Sequence, residues 1–449
     1  MTETPSSGDA QGTGTRVEAS PGASTTDRHR LVHPSNRRRG RLTIFRHLGP
    51  GLITGAADDD PSGIGTYSQL GAQFGLAMLW TVPIALFLAA SVEELAVRLG
   101  LAGREGLASL IKENFPRPVL YLAALLVTAA NTLNIGADLG SMAASLRLVI
   151  PIPFVPVLIT ITVVLLVLEV FVQYHQYARL LRFLTLSLFA YIAVLAVVHV
   201  DWPAVASNLT IPHFSPKKEY LAGLVAIFGT TISPYLMFWQ ASEEVEETED
   251  LKGPAKRLTR RRVFGMQVDV IIGMTTAVMI MFAILVAAAS TLGVNGVTNI
   301  GTADQAAQAL KPLAGDFAGL FFALGIVGTG ALAVPVLAGS TGYALAETFA
   351  WHEGLSKTFR QARGFYIVII GSMLIGLVMN FIGLDPIKAL IYSAILNGLA
   401  APPLILLMLI LGNKQRAVGR YRSGRISNGL VGIACLLMTA LPIAYLAAS

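Results

Sequence analysis

From about Leu42 onward the chain is a succession of long apolar segments separated by short polar loops. Crossing a hydrocarbon core of about 30 Å takes roughly 20 apolar residues of helix. Eleven segments meet that requirement: 43–73, 76–99, 118–148, 153–173, 178–200, 220–242, 263–290, 316–350, 364–383, 386–412 and 426–446. One such segment alone fits a buried helix of a soluble protein, but eleven in series do not. Lipid offers no partner to backbone N–H and C=O groups, so segments of this length must be helices. The chain therefore reads as an all-α polytopic membrane protein, with residues 42–449 as one transmembrane domain of about eleven helices. Composition agrees: 13% of the residues are charged and 54% hydrophobic, too few charges to cover several soluble domains and too apolar for disorder. Cys435 is the only cysteine, so a disulfide scaffold is excluded.

Residues 1–41 differ from the rest, being rich in Ser, Thr, Gly, Pro and Arg. They read as a disordered cytoplasmic tail, and no apolar core follows their positive residues as a signal peptide would require. Of the 33 Lys and Arg residues, 28 fall on the tail and the alternate loops that share its side. The other side holds five: Arg147, Lys217, Lys218, Lys311 and Lys388. By the positive-inside rule the N-terminus is cytoplasmic and, after an odd number of spans, the C-terminus lies outside. The expected location is a bacterial plasma membrane. Topology accounts for the basic loops, so they do not call for nucleic acid. No obligate protein partner is evident.

Two spans carry a breaker at their middle. The first reads Ala56-Ala57-Asp58-Asp59-Asp60-Pro61-Ser62-Gly63 and the sixth Gly229-Thr230-Thr231-Ile232-Ser233-Pro234-Tyr235. Pro61 and Pro234 each remove a backbone donor and crowd the carbonyl one turn back. Unwound backbone at membrane depth is tolerated only where protein or a watery cavity satisfies it, and transporters use it to coordinate ions. The breaks lie five spans apart, which fits two five-helix repeats of inverted topology plus an eleventh helix. A proline kink without function is the simpler alternative for either break taken alone.

Charge within the spans has one sign. Asp58, Asp59 and Asp60 lie in span 1, Glu93 and Glu94 in span 2, Asp138 in span 3, Glu169 in span 4, Asp269 in span 7 and Glu347 in span 8. No Lys, Arg or His lies near the middle of any span. An ionised acid at the bilayer centre costs about 2.5–3.5 kcal/mol on insertion scales. These acids therefore need a proton, water or a bound cation, and carboxylate with backbone carbonyl suits a hard divalent ion such as Mg²⁺ or Mn²⁺. Each has a structural alternative. Glu93, Glu94 and Glu169 can reach water or Arg98, Asp269 and Glu347 can pin helices, Asp138 can face a vestibule, and Asp58 or Asp59 can bond the broken backbone. Asp60, directly before the proline, is the foremost ligand candidate. The run Glu243-Glu244-Val245-Glu246-Glu247 after span 6 reads by default as a solvated face.

At these residues the sequence resembles the Nramp family of divalent-metal transporters. Gly49 to Gly75 matches the family's first helix without gaps, with Asp60-Pro61-Ser62-Gly63 where the family usually has Asp-Pro-Gly-Asn. Ser233-Pro234-Tyr235 stands where the family has Met-Pro-His, and the stretch from Gly339 to Phe349 is also similar. The resemblance implies a LeuT-type fold and a divalent cation as substrate, with no cofactor. It implies ligands at Asp60, the carbonyls near Ala57 and Thr230, the hydroxyl of Ser233 and, in span 10, Asn397. Gly63 replaces the family's Asn ligand and Ser233 its thioether, which shifts the site toward hard oxygen donors. Tyr235 replaces the family's histidine. The family's proton-transferring acids of span 3 fall at Asn134 and Ala137, with Asp138 adjacent, so the usual proton route is in question. This pattern is similar to the magnesium-type branch related to Nramp.

The leading expectation is divalent-cation transport by alternating access, with uptake as the direction. The second is a cation-coupled carrier of a small organic substrate such as an amino acid; its carboxylate would prefer helix N-termini to three aspartates. A metal sensor without flux is a third. An enzyme is disfavoured: the chain has no metal-protease histidine pair, nucleophile elbow or phosphate loop.

Overall fold

The computed structural model describes Gly55 and residues 57–172, 186–250 and 259–448, apart from the side chains of 247, 249, 250 and 260–262. The expected tail, the first parts of spans 1 and 5 and the loop after span 6 lie outside the described residues. The principal helices are α1 (Pro61–Phe74), α2 (Thr81–Gly103), α3 (Leu107–Asn114), α4 (Arg117–Leu146), α5 (Phe154–Phe171), α6 (Phe189–Val197) and α7 (Trp202–Thr210). They continue with α8 (Lys218–Thr231), α9 (Pro234–Asp250), α10 (Arg260–Ala288), α11 (Ala318–Phe349), α12 (Arg363–Met379), α13 (Pro386–Asn413) and α14 (Arg425–Ala447).

Each of the eleven expected spans holds a helix in its described part. Seven helices among the described residues are long and apolar enough to cross a membrane, or up to nine when two bent pairs each count as one span. The second span differs from its expected limits of 76–99. The chain continues past α1 as a 3₁₀ turn over Gly75–Met78 and bends by 114° before α2 begins at Thr81. Hydropathy does not register a bend between two apolar pieces. It also passed over the short helices α3 and α7, which carry too few apolar residues to span anything.

Span 1 packs on span 7 (α1 against α10), and span 6 packs on span 2 (α9 against α2). That exchange is what a repeat of five spans requires. Because five is odd, the repeats cross the membrane in opposite directions. The long helix α4 packs against α5, α11, α12 and α13, while α8 lies between α13 and α1. Small residues allow the closest crossings, as is usual between membrane helices. A Cβ on Gly229 of α8 would sit 2.1 Å from the Ala394 carbonyl oxygen and 2.4 Å from the Gly398 nitrogen of α13.

Proline alone does not break these helices. Pro335 lies inside continuous α11, and Pro402 and Pro403 inside continuous α13. The two spans that do break are those in which an Asp or Ser side chain stands ready to satisfy the freed backbone.

Candidate functional site

Asp60 is the N-cap of α1, in extended conformation with φ −63° and ψ 168°, and Pro61 follows at the first helical position. This is the arrangement that satisfies a helix start: a short acid accepts an orphan N–H and the proline gives up a donor that would have no partner. The Oδ1 atom accepts from the Gly63 N–H at 2.8 Å and from the Ser62 hydroxyl at 2.6 Å. The Oδ2 atom accepts from Asn134 Nδ2 of α4 at 2.8 Å. Asp60 is buried, and all three of these donors are neutral. Gly63 faces the second break: a Cβ there would lie 3.5 Å from the Asp58 carbonyl oxygen and 3.6 Å from Thr230 Oγ1.

The second break is built by α8 ending at Thr231 and α9 starting at Pro234. The Ser233 hydroxyl turns back to the carbonyls of Thr230 and Gly229, at 2.6 and 3.1 Å, so it closes its own half-helix. Hydroxyls then join the two breaks. Thr230 Oγ1 lies 3.1 Å from Ser62 Oγ, and Tyr67 Oη lies 2.9 Å from Thr231 Oγ1. The directions are fixed by elimination, since each hydroxyl has one hydrogen. Ser62 gives its hydrogen to Asp60, so Thr230 donates to Ser62. Thr231 gives its hydrogen to Ile227, at 2.8 Å, so Tyr67 donates to Thr231. Tyr235 of α9 donates to the Ala57 carbonyl at 2.9 Å, and its own carbonyl accepts from Ser340 of α11 at 2.9 Å.

The structure thus brings Ala57, Asp60, Gly63, Thr230, Ser233 and Tyr235 together around two facing breaks. One turn beyond Asn134 on α4, Asp138 is wholly buried with both carboxylate oxygens unpartnered. Asn397 of α13 is likewise buried, with neither amide atom bonded. Its neighbour Gly398 packs on Gly229 at the second break. Asp58 and Asp59 are buried, and one Asp58 oxygen has no partner. The three aspartates do not form a carboxylate cage: among the described residues no three His, Cys, Asp or Glu side chains gather as a metal-holding group. Asp60 is the carboxylate bonded by Ser62 of the first break and by Asn134 of α4, and linked through Ser62 to Thr230 of the second break.

The other candidates have different settings. Glu93 is buried in α2 with one oxygen unpartnered, whereas adjacent Glu94 pairs with Arg98 and accepts from Gln267 at 2.6 Å and Ser427 at 3.0 Å. Asp269 is half-buried on α10. Glu347 accepts from the Ser109 N–H and from the Ser242 hydroxyl, both at 2.8 Å, and so caps α3 from α11. Over Glu243, Glu244 and Glu246 the acidic run after span 6 is not a solvated face. Glu243 and Glu244 are buried, and Glu246 accepts from Tyr343 at 2.6 Å, Leu355 N at 3.1 Å and Ser356 N at 2.5 Å. Glu246 thus ties α9 to α11 and its following loop, which the local sequence does not reveal. Sequence reasoning also passed over Ser62 and the bond from Asn134 to Asp60. The Asp-Pro pair itself was a readable helix-start signal pointing at the Gly63 N–H.

A family profile described as "Nramp: Natural resistance-associated macrophage protein-like" matches residues 51–448. The chain belongs to the Nramp family. Among curated relatives, a protein of Klebsiella pneumoniae named divalent metal cation transporter MntH is 27% identical over 407 residues, covering 89% of this chain and 93% of the relative. A protein of the same name from Deinococcus radiodurans is 26% identical over 398 residues, covering 85% of each. Among solved structures, the Eremococcus coleocola manganese transporter superposes with a TM-score of 0.68 at 19% identity, covering 90% of this chain and 87% of that one. The inward-facing conformation of Mhp1 superposes with a TM-score of 0.51 at 12% identity, covering 88% and 90%. This Nramp chain therefore has the LeuT-type fold that the resemblance implies. Its curated relatives are transporters, not enzymes.

Proposed function

We propose that this Nramp protein carries a divalent metal cation across the membrane by alternating access, with Mg²⁺ or Mn²⁺ as substrate and uptake as direction. The observation that carries the reading is Asp60: a buried carboxylate between two helix breaks, held by neutral donors and facing oxygen-bearing groups of both repeats. The substrate takes its place on Asp60, the Ala57 and Thr230 carbonyls and the hydroxyl of Ser233, with the unpartnered amide of Asn397 completing the set. All are oxygen donors, as hard cations prefer. The absence of a thioether at Ser233, and of an amide at Gly63, supports placing the chain in the magnesium-type branch. Mg²⁺ keeps several waters when bound, and the unpartnered oxygens of Asp138 and Asn397 are acceptors suited to them.

Proton coupling is weak in this reading, because the acids of the usual route are Asn134 and Ala137. One repeat rocks against the other around the site. The 28-to-5 division of basic residues supports a cytoplasmic N-terminus, an outside C-terminus and residence in a bacterial plasma membrane. The test is flux into proteoliposomes with Mg²⁺, Mn²⁺ and Ca²⁺ in parallel and internal pH monitored. Asp60→Ala is expected to abolish metal flux while the protein still folds. Unchanged flux in that variant would falsify the proposal.

A further inference from the structure

Ser62 has no part in the ligand set above, yet it is the hinge of its hydrogen bonding. Its side chain is fully buried. Its hydroxyl donates to Asp60 Oδ1 at 2.6 Å and, by elimination, accepts from Thr230 Oγ1 at 3.1 Å. A directed chain Thr230 to Ser62 to Asp60 therefore crosses from the second break to the first. The Ser62 hydrogen and the Gly63 N–H, at 2.6 and 2.8 Å, together occupy Oδ1, while the Thr230 hydrogen holds the Ser62 oxygen in that orientation. A cation cannot settle on Oδ1 in that arrangement. The Ser62 hydroxyl must rotate away, and the same rotation turns its oxygen lone pairs to the incoming ion. Thr230 then loses its acceptor and is free to turn as well.

We infer that Ser62 is a positioning and specificity-determining residue of the cation site, resting on the transport reading given above. Its hydrogen bonds hold Asp60 and Thr230 in register across the two breaks. In the loaded protein its hydroxyl and that of Thr230 face the cation or its water shell. Hydroxyl oxygen favours hard ions, so removing the pair weakens discrimination among Mg²⁺, Mn²⁺ and Ca²⁺ as well as affinity.

The experiment uses the full chain in proteoliposomes, with Ser62→Ala, Thr230→Val and the double variant, each checked by thermal unfolding. Ser62→Ala is expected to raise the KM for Mg²⁺ about tenfold, because the variant lacks the hydroxyl oxygen that faces the bound cation or its water shell, with kcat changed far less. The Mg²⁺-to-Ca²⁺ flux ratio falls with it. The double variant is expected to match the worse single one, because both substitutions cut the same chain. A merely structural role would lower thermal stability and kcat without moving the ion ratio. An unchanged KM and ion ratio in Ser62→Ala, or additive effects in the double variant, overturns the inference. Should Ser62→Ala not fold, Thr230→Val removes the donor from the opposite side and carries the same two expectations. Lack of any divalent flux in the unsubstituted protein would instead sink the transport reading.

Discussion

Asn134 donates its Nδ2 hydrogen to Asp60 Oδ2 at 2.8 Å, joining α4 to the break of span 1 over 74 residues of sequence. The donor is an amide at the position where resemblance to the family puts an acid. An amide can hold a carboxylate but cannot pass it a proton. The oxygen of the same amide is buried without a partner.

Asn134→Asp is therefore expected to make flux depend on pH. Two carboxylates at hydrogen-bond distance cannot both be ionised cheaply, so the pair holds a proton that an incoming cation has to displace. Competition between proton and metal grows as pH falls, so the KM for metal rises toward acid pH in the variant and stays flatter in the parent. Flux measured from pH 8 down to pH 5 with a pH dye inside the vesicles reads both effects. Identical pH profiles for the two proteins would count against a role for the Asn134 amide in keeping protons out.

Glu347 offers a contrast, since its oxygens are engaged by Ser109 and Ser242 in the helix-pinning role that was its alternative to binding a cation. The helix it caps, α3, has Gly106 at its N-cap and no capping side chain of its own. In return Lys112 of α3 donates to the Thr348 carbonyl at 3.1 Å, near the end of α11. Glu347→Ala leaves the part-buried Ser109 N–H and the buried Ser242 hydroxyl without their acceptor, and an unsatisfied buried donor costs about 1–3 kcal/mol. The expected result is a clear loss of thermal stability with little change in KM. A raised KM at unchanged stability would instead place Glu347 in the ion path.

The spans and both breaks were legible because their causes are local: apolar length for the first, Asp-Pro and Ser-Pro flanked by Gly and Thr for the second. Pro335 and the Pro402–Pro403 pair show the limit, since they sit in continuous helices and only the absence of a neighbouring capping side chain sets them apart. What was not legible lies between distant residues. Ser62 meets Thr230 across 168 positions, and Glu246 reaches Ser356 across 110. Hydropathy marks a charge near a helix end but not the backbone N–H waiting for it. For that reason the acidic run after span 6 looked solvated, and the Ser109 N–H that Glu347 meets on α3 was not foreseen.

Gly229 lies beside the second break, and its packing makes a strict demand. A Cβ added there would meet backbone atoms of Ala394 and Gly398 on α13 at 2.1 and 2.4 Å, and backbone cannot step aside as a side-chain tip can. Gly229→Ala must push α8 away from α13, and overpacking of that kind costs about 1–3 kcal/mol. The strain falls one residue before Thr230, so it also displaces the donor end of the hydroxyl chain to Asp60. Lower thermal stability and lower flux are expected together, with the KM for Mg²⁺ rising as it does in Thr230→Val. Gly229→Ala that is as stable and as active as the parent would show that the α8–α13 crossing is looser than these distances require.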